Sequence, residues 1–108
     1  MSRAKGNAAE ELAAEWLKGR GCRVLERNLY FKGGEIDIIA EKEGVIHFVE
    51  VKSGDSFEPL YNLTPAKVRR VVKGAQRWLK MRKLDVPWQV DALIVRGGEC
   101  EWLENITV

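Results

Sequence analysis

Cysteine, proline and histidine are scarce in this chain: two, three and one among 108 residues. Cys22 and Cys100 stand far apart, and with His47 as the single imidazole they argue against a zinc site. They read instead as free thiols of a reducing compartment, which points to the cytoplasm. No apolar run approaches the ~18 residues of a membrane span. No hydrophobic stretch follows Arg3 and Lys5, so a secretory leader is not expected and neither is a membrane partner. Linkers, internal repeats and low-complexity tracts are missing too, so residues 1–108 read as one domain with one core. Acidic residues are missing from one stretch in particular. Residues 64–83 hold eight Lys or Arg and no Asp or Glu, whereas the rest of the chain holds ten bases against sixteen acids. Such asymmetry places contact with an anionic partner at one element.

What is present is an ordinary globular composition, 45% apolar and 31% charged. Ala9, Leu12, Ala13, Trp16 and Leu17 recur at helical spacing and predict a helix over roughly residues 7–18, stopped by Gly19 and Gly21. Strands are expected from about Cys22 to Leu29, Glu35 to Glu41 and Val45 to Lys52, with a turn across Glu41-Lys42-Glu43-Gly44. A loop over residues 53–63 carries Phe57, Leu60 and Tyr61, apolar area that would suit a homodimer contact. Thr64-Pro65 then reads as an N-cap and first-turn proline for a helix reaching about Met81. Further strands are expected at Trp88–Val95 and from about Cys100 to Ile106, around a Gly97-Gly98 turn. The helix between the third and fourth strands implies a parallel crossover, hence an α/β fold with a mixed central sheet flanked by helices.

Two segments carry the chemistry. Asp37 lies in Gly34-Glu35-Ile36-Asp37-Ile38-Ile39-Ala40, and Glu50 and Lys52 lie in Phe48-Val49-Glu50-Val51-Lys52. Strand alternation puts Glu50 and Lys52 on one face, about 6.6 Å apart. A hairpin register can set Asp37 opposite Glu50. Two carboxylates so placed repel unless a cation lies between them, and Mg²⁺ (or Mn²⁺) accepts such oxygen donors, with the Val51 carbonyl as a further one. A lysine beside them can stabilise charge developing on a phosphate. The competing reading is a structural ion-pair network, although a strand this apolar on both faces leaves charges in need of partners or a role.

Those segments resemble the PD-(D/E)xK nuclease superfamily and, more narrowly, the small bacterial YraN-like family, which is similar to archaeal Holliday junction resolvases. The resemblance runs from Gly6-Asn7-Ala8-Ala9-Glu10 to Val90-Asp91. It implies a restriction-endonuclease-like αβββαβ core in which Asp37 and Glu50 bind metal and Lys52 assists attack on phosphate. The Lys5-Gly6-x-x-x-Glu10 pattern favours Glu10 over Glu11 as an auxiliary ligand or water orienter, and Glu10 also lies nearer the apolar helix face. A solvated helix glutamate is the alternative there.

On the second helix, Arg69, Lys73, Arg77 and Lys80 share one side with Arg70 beside them, as phosphate-backbone contacts would require. An ion-paired or solvated face is the alternative. Trp16 and Trp78, on apolar helix faces, are read as packing residues and Trp88 and Trp102 as strand or interface residues, and His47 alternates away from Glu50. The expectation is therefore a Mg²⁺- or Mn²⁺-dependent DNA endonuclease with branched or junction DNA as candidate substrate. Its rivals are a noncatalytic nucleic-acid-binding module, which would bind DNA salt-sensitively without cutting, and a scaffold for a protein partner, which would not bind it at all.

Overall fold

A computed structural model describes residues 2–54 and 63–107, with side chains from residue 8 onward. Helix α1 spans Ser2–Gly19, starting earlier than the apolar periodicity. Gly6 inside it costs about 1 kcal/mol relative to alanine, too little to stop a helix that has begun. At its other end the N–H groups of Arg20 and Cys22 both reach the Leu17 carbonyl, at 2.9 and 3.1 Å, while Gly21 takes φ +92° and turns the chain away.

Three antiparallel strands follow: β1 Arg23–Phe31, β2 Gly34–Lys42 and β3 Val45–Ser53. The β2–β3 turn is tight and centres on Glu43-Gly44, within the turn segment expected. Glu41 and Lys42 still pair with Ile46 and Val45, leaving Glu43 and Gly44 as a two-residue turn with φ of 53° and 83°. The Glu41 carboxylate accepts the Gly44 N–H at 2.9 Å and holds it.

Helix α2, Pro65–Met81, returns the chain so that β4, Trp88–Arg96, runs parallel to β3. Thr64 caps α2 by accepting the Lys67 N–H, and Pro65 occupies the first turn, where its missing donor costs nothing. Strand β5, Glu99–Leu103, closes the sheet order β1-β2-β3-β4-β5. It stops short of the expected Ile106. Asn105 takes φ +57° and gives its N–H to the Asp91 carboxylate, and Ile106 N–H bonds the Val90 carbonyl, so the chain folds back across β4. The element order contains an αβββαβ core, with β5 added at the sheet edge.

The helices cover opposite faces. Ala13, Ala14 and Leu17 of α1 pack on Ile38, Val49 and Leu93. Val71, Ala75 and Trp78 of α2 pack on Ile39, Phe48 and Val90. Trp16 and Trp78 are packing residues, as their helical positions predict, and the strand residues Trp88 and Trp102 pack as well: Trp78 and Trp88 both meet Phe48 edge-on, and Trp16 meets Trp102 the same way. Cys22 and Cys100 are free thiols, both shifted upward by burial. Among the described residues no helix is long and apolar enough to cross a membrane. Phe57, Leu60 and Tyr61, on which the homodimer expectation rests, lie outside the described residues.

Candidate active site

Strand β3 is the middle strand, so its apolar residues are covered on both sides, and its last turn of sequence carries Glu50 and Lys52. The β2–β3 ladder runs to Ile38↔Val49, which leaves Asp37 and Glu50 as the next residues of the two strands. There the side chain of Asp37 takes over from the backbone: its Oδ2 accepts the Val51 N–H at 2.8 Å. N–H and C=O of one extended residue face the same edge, so the Val51 carbonyl is turned to the β2 side as well. On the other side β4 offers only a methyl group next to Glu50, because Glu50 pairs with Ala92.

Asp37 is 7% exposed. Burial drives its carboxyl upward, the Val51 N–H opposes this, and the nearby charges of Glu10 and Glu35 add to the rise, giving a value of about 7. Glu50 goes the same way to about 8, through burial first and the Asp37 charge second, with Lys52 pulling it back. The Glu50 Oε1 is buried and has no hydrogen-bond partner among the described residues. Two carboxyls are thus held side by side in a place that resists their charges.

Lys52, two residues after Glu50, acts on both carboxyls. Glu10 reaches the same neighbourhood from α1, with its Oε1 buried and its charge felt at Asp37. Glu11 does not: it is exposed and pairs with Arg27 at 2.8 Å. Asp37 and Glu50 are therefore neighbours that feel the charge of Lys52, and Glu10 is felt at Asp37, but the carboxylates of Glu10, Asp37 and Glu50 do not all lie within 4.8 Å of one another.

The basic helix is divided. Arg69, Arg70, Lys73, Arg77 and Lys80 are all exposed. Arg70, however, borders the depression of about 260 Å³ into which Glu50 opens, while Arg69 lies on the other flank beside Ile106 and Thr107. Three residues of that depression were not singled out from sequence: Glu35, Lys67 and Tyr30. Glu35 had a signal, since it stands two residues before Asp37 on one strand. Lys67 was counted in the charge of the helix but not placed, and Tyr30 had no signal beyond its residue type.

A second buried acid lies across β3. His47 and Asp91 point to the α1 face, where His47 Nδ1 meets Asp91 Oδ2 at 2.6 Å. Trp102 Nε1 bonds the same oxygen at 2.9 Å, and Gln89 and the Asn105 N–H take the other at 2.9 and 2.8 Å. His47, Asp91 and Glu104 form the one trio of metal-type donors lying within 4.8 Å of one another among the described residues. Both Asp91 oxygens are nevertheless fully engaged, and Glu104 accepts from Gln89 at 3.1 Å, so the trio serves as a structural network.

Fold and site together define a class: an α/β domain whose mixed sheet carries a buried aspartate, a half-buried glutamate and a lysine on adjacent central strands. The chain belongs to the family described as "Uncharacterised protein family UPF0102", whose model matches residues 9–95. It is 58% identical over 108 residues to a UPF0102 protein of Wolinella succinogenes, with 100% of each chain covered. A UPF0102 protein of Helicobacter hepaticus is 50% identical over 107 residues, which cover 99% of this chain and 97% of that one. A Sulfurovum relative of the same name is 50% identical over 105 residues, covering 95% and 93%.

Proposed function

We propose that this protein is a metal-dependent DNA endonuclease of the PD-(D/E)xK type, acting in the cytoplasm, with branched or junction DNA as its candidate substrate. The observation that carries the reading is the buried, unpartnered Glu50 Oε1 beside an Asp37 that shares its electrostatic strain. The Asp91 network in this same sheet, by contrast, is satisfied at both of its oxygens.

The donor set fits a hard divalent cation: two carboxylates and the Val51 carbonyl, all oxygen, with Glu50 bordering an open depression. Mg²⁺ or Mn²⁺ held there would supply charge neutralisation at the phosphate and a water acidic enough to attack near neutral pH. Asp37 and Glu50 would hold the ion, and the Val51 N–H fixes the orientation of the Asp37 carboxyl. Lys52 brings a compact positive charge to the phosphate oxygens, where charge accumulates during displacement. Glu10 orients the water from the helix side. Lys67 and Arg70, at the rim of the Glu50 depression, hold the DNA backbone.

The test is cleavage of labelled linear, flap and four-way junction DNA in Mg²⁺ or Mn²⁺ by the wild type, Asp37→Asn and Lys52→Ala. Both substitutions are expected to reduce cutting at least ~10³-fold while DNA is still bound, on the scale of removing a charge-stabilising group from an active site. Cutting that survives both would remove the assignment of this site.

A further inference from the structure

Between the β1–β2 hairpin and α2 the surface is hollowed into three adjoining depressions of about 540, 390 and 260 Å³. Phe31, Gly74 and Arg77 border both the first and the second. Gly33 and Arg70 border both the second and the third, and the third ends at Glu50. They form one trough, running alongside α2 from Met81 towards the acidic pair.

Its depth has a cause in the sequence. Gly74 faces the Phe31 ring so closely that a Cβ there would lie 2.5 Å from two ring carbons, so the hairpin end lies directly against the helix backbone. Its walls are of two kinds. Exposed Arg70, Lys73 and Arg77 line it with positive charge. Tyr30, 54% exposed, and Met81, 76% exposed, line it with apolar surface. Glu26, the one acid bordering the two larger depressions, is neutralised by Arg82 and also accepts from Trp78 Nε1, each at 2.9 Å.

A surface built for duplex backbone needs the cations alone, since phosphates lie outside and bases are stacked within. Cations with an exposed aromatic ring and base-sized hollows suit a strand whose bases are unstacked and free to lie on side chains. The length agrees: Lys67 to Met81 is about 21 Å of helix, room for about four nucleotides, at the small end for compact single-strand binders.

We propose that this trough seats a single strand of DNA, its bases on Tyr30 and Met81 and its phosphates on Arg70, Lys73 and Arg77, and delivers that strand to Glu50. The delivery rests on the nuclease reading above, whereas the seating does not. The trough thereby specifies the substrate: a flap, a splayed end or the open centre of a branch, rather than uninterrupted duplex.

Binding is measured by fluorescence anisotropy in EDTA, so that no cutting occurs, with a labelled oligo-dT octamer and a duplex of equal length. The full-length chain is used. The octamer is expected to bind about tenfold more tightly. Tyr30→Ala should weaken octamer binding by about tenfold, within the range for losing one stacked base. Tyr30→Phe should restore it, and Arg77→Glu should weaken octamer and duplex alike. Lys18→Glu, the same charge change on the opposite helix, should leave binding intact. Equal affinity for octamer and duplex, or an unaltered Tyr30→Ala, overturns the proposal. So does affinity confined to single-stranded RNA, or displacement of the octamer by poly-glutamate as readily as by unlabelled DNA. Tight octamer binding without cleavage in Mg²⁺ or Mn²⁺ would leave the seating standing and overturn the delivery together with the nuclease reading. Cleavage without single-strand preference would do the reverse.

Discussion

Asp37 and Asp91 lie on the two strands that flank β3, both buried, and their surroundings push them in opposite directions. Asp91 is 0% exposed. Burial drives its pKa up, but bonds from His47, Asn105, Gln89 and Trp102 outweigh that and hold it below the usual carboxylate value. Asp37 accepts the Val51 N–H alone among the described residues and has Glu50, Glu10 and Glu35 for neighbours, so its charge is resisted. The same residue type in the same sheet is finished in one place and incomplete in the other. A carboxylate supplied with donors by its own chain is part of the framework. A pair left short of them is the kind of place at which functional sites cluster, and the proposed cation would complete it.

The sharpest way to break this comparison is to remove the framework acid. Asp91→Ala strands the His47 ring, the Trp102 and Gln89 donors and the Asn105 N–H at once. The expected loss is about 3–5 kcal/mol, the range for opening a buried charged network, or a fall in Tm of roughly 15 °C. Thermal or urea unfolding reads it directly. A loss below about 1 kcal/mol would mean that the network is not structural, which would return His47, Asp91 and Glu104 to consideration as a metal site.

Addition of metal separates the two acids next. The folded protein holds Asp37 and Glu50 protonated to about pH 7 and 8, whereas in the unfolded chain they titrate near 3.8 and 4.5. Between those limits the folded state binds more protons, so metal-free stability falls as pH rises through the window. Asp91 runs the other way: its lowered pKa contributes stability above the unfolded value, lost as pH falls through the folded one. Mg²⁺ or Mn²⁺ at about a hundred times its dissociation constant should return about 2.7 kcal/mol. Because it binds the ionised pair, its effect on Tm should be larger at pH 8 than at pH 6. Equal shifts at both pH values would argue against binding at these carboxyls.

The single substitution Asp37→Asn then gives a smaller effect of opposite sign to that of Asp91→Ala. An asparagine oxygen can still accept the Val51 N–H, while the buried charge and its repulsion of Glu50 disappear. At pH 8 without metal the variant should be more stable than wild type by on the order of 2 kcal/mol, and at pH 4 the gain should vanish. Its Tm should also be indifferent to Mg²⁺. A variant that is less stable than wild type at pH 8 would show that Asp37 is structural after all.

Of the two acids, sequence patterns made only Asp37 legible. Apolar periodicity located both helices and all five strands, and alternation along β3 placed Glu50 and Lys52 together and His47 away from them. Asp91 could be noticed but not explained, because apart from Gln89 on its own strand its partners come from β3, β5 and the segment after β5, and no local pattern encodes a contact between Asp91 and Asn105. The end of β5 was misplaced for the same reason: the stop at Leu103 is made by Asp91 drawing in the Asn105 N–H, a tertiary cause. The basic helix was legible as charge, but its division between the flank near Glu50 and the flank near Ile106 depends on where the hairpin and the chain end dock.

The least costly change tests how firmly the incomplete side is held. The Asp91 side is tied by side-chain hydrogen bonds from several elements, whereas the tip of the hairpin leading into Asp37 rests on α2 through Phe31 against Gly74, with the hydrogen bonds of Glu26 to Trp78 and Arg82 lying further back along β1. Gly74→Ala gains about 1 kcal/mol of helix propensity and forces the half-buried Phe31 ring to move, at about 1–3 kcal/mol for overpacking. The net expectation is a loss of about 1 kcal/mol, seen as a Tm lower by a few degrees. Packing on the α1 face does not touch this contact, so the near-ultraviolet signature of Trp16 and Trp102 should be unchanged while single-strand binding weakens. If Tm rises instead, the ring swings aside freely, and the trough is shaped by a yielding side chain rather than by a fixed junction of hairpin and helix.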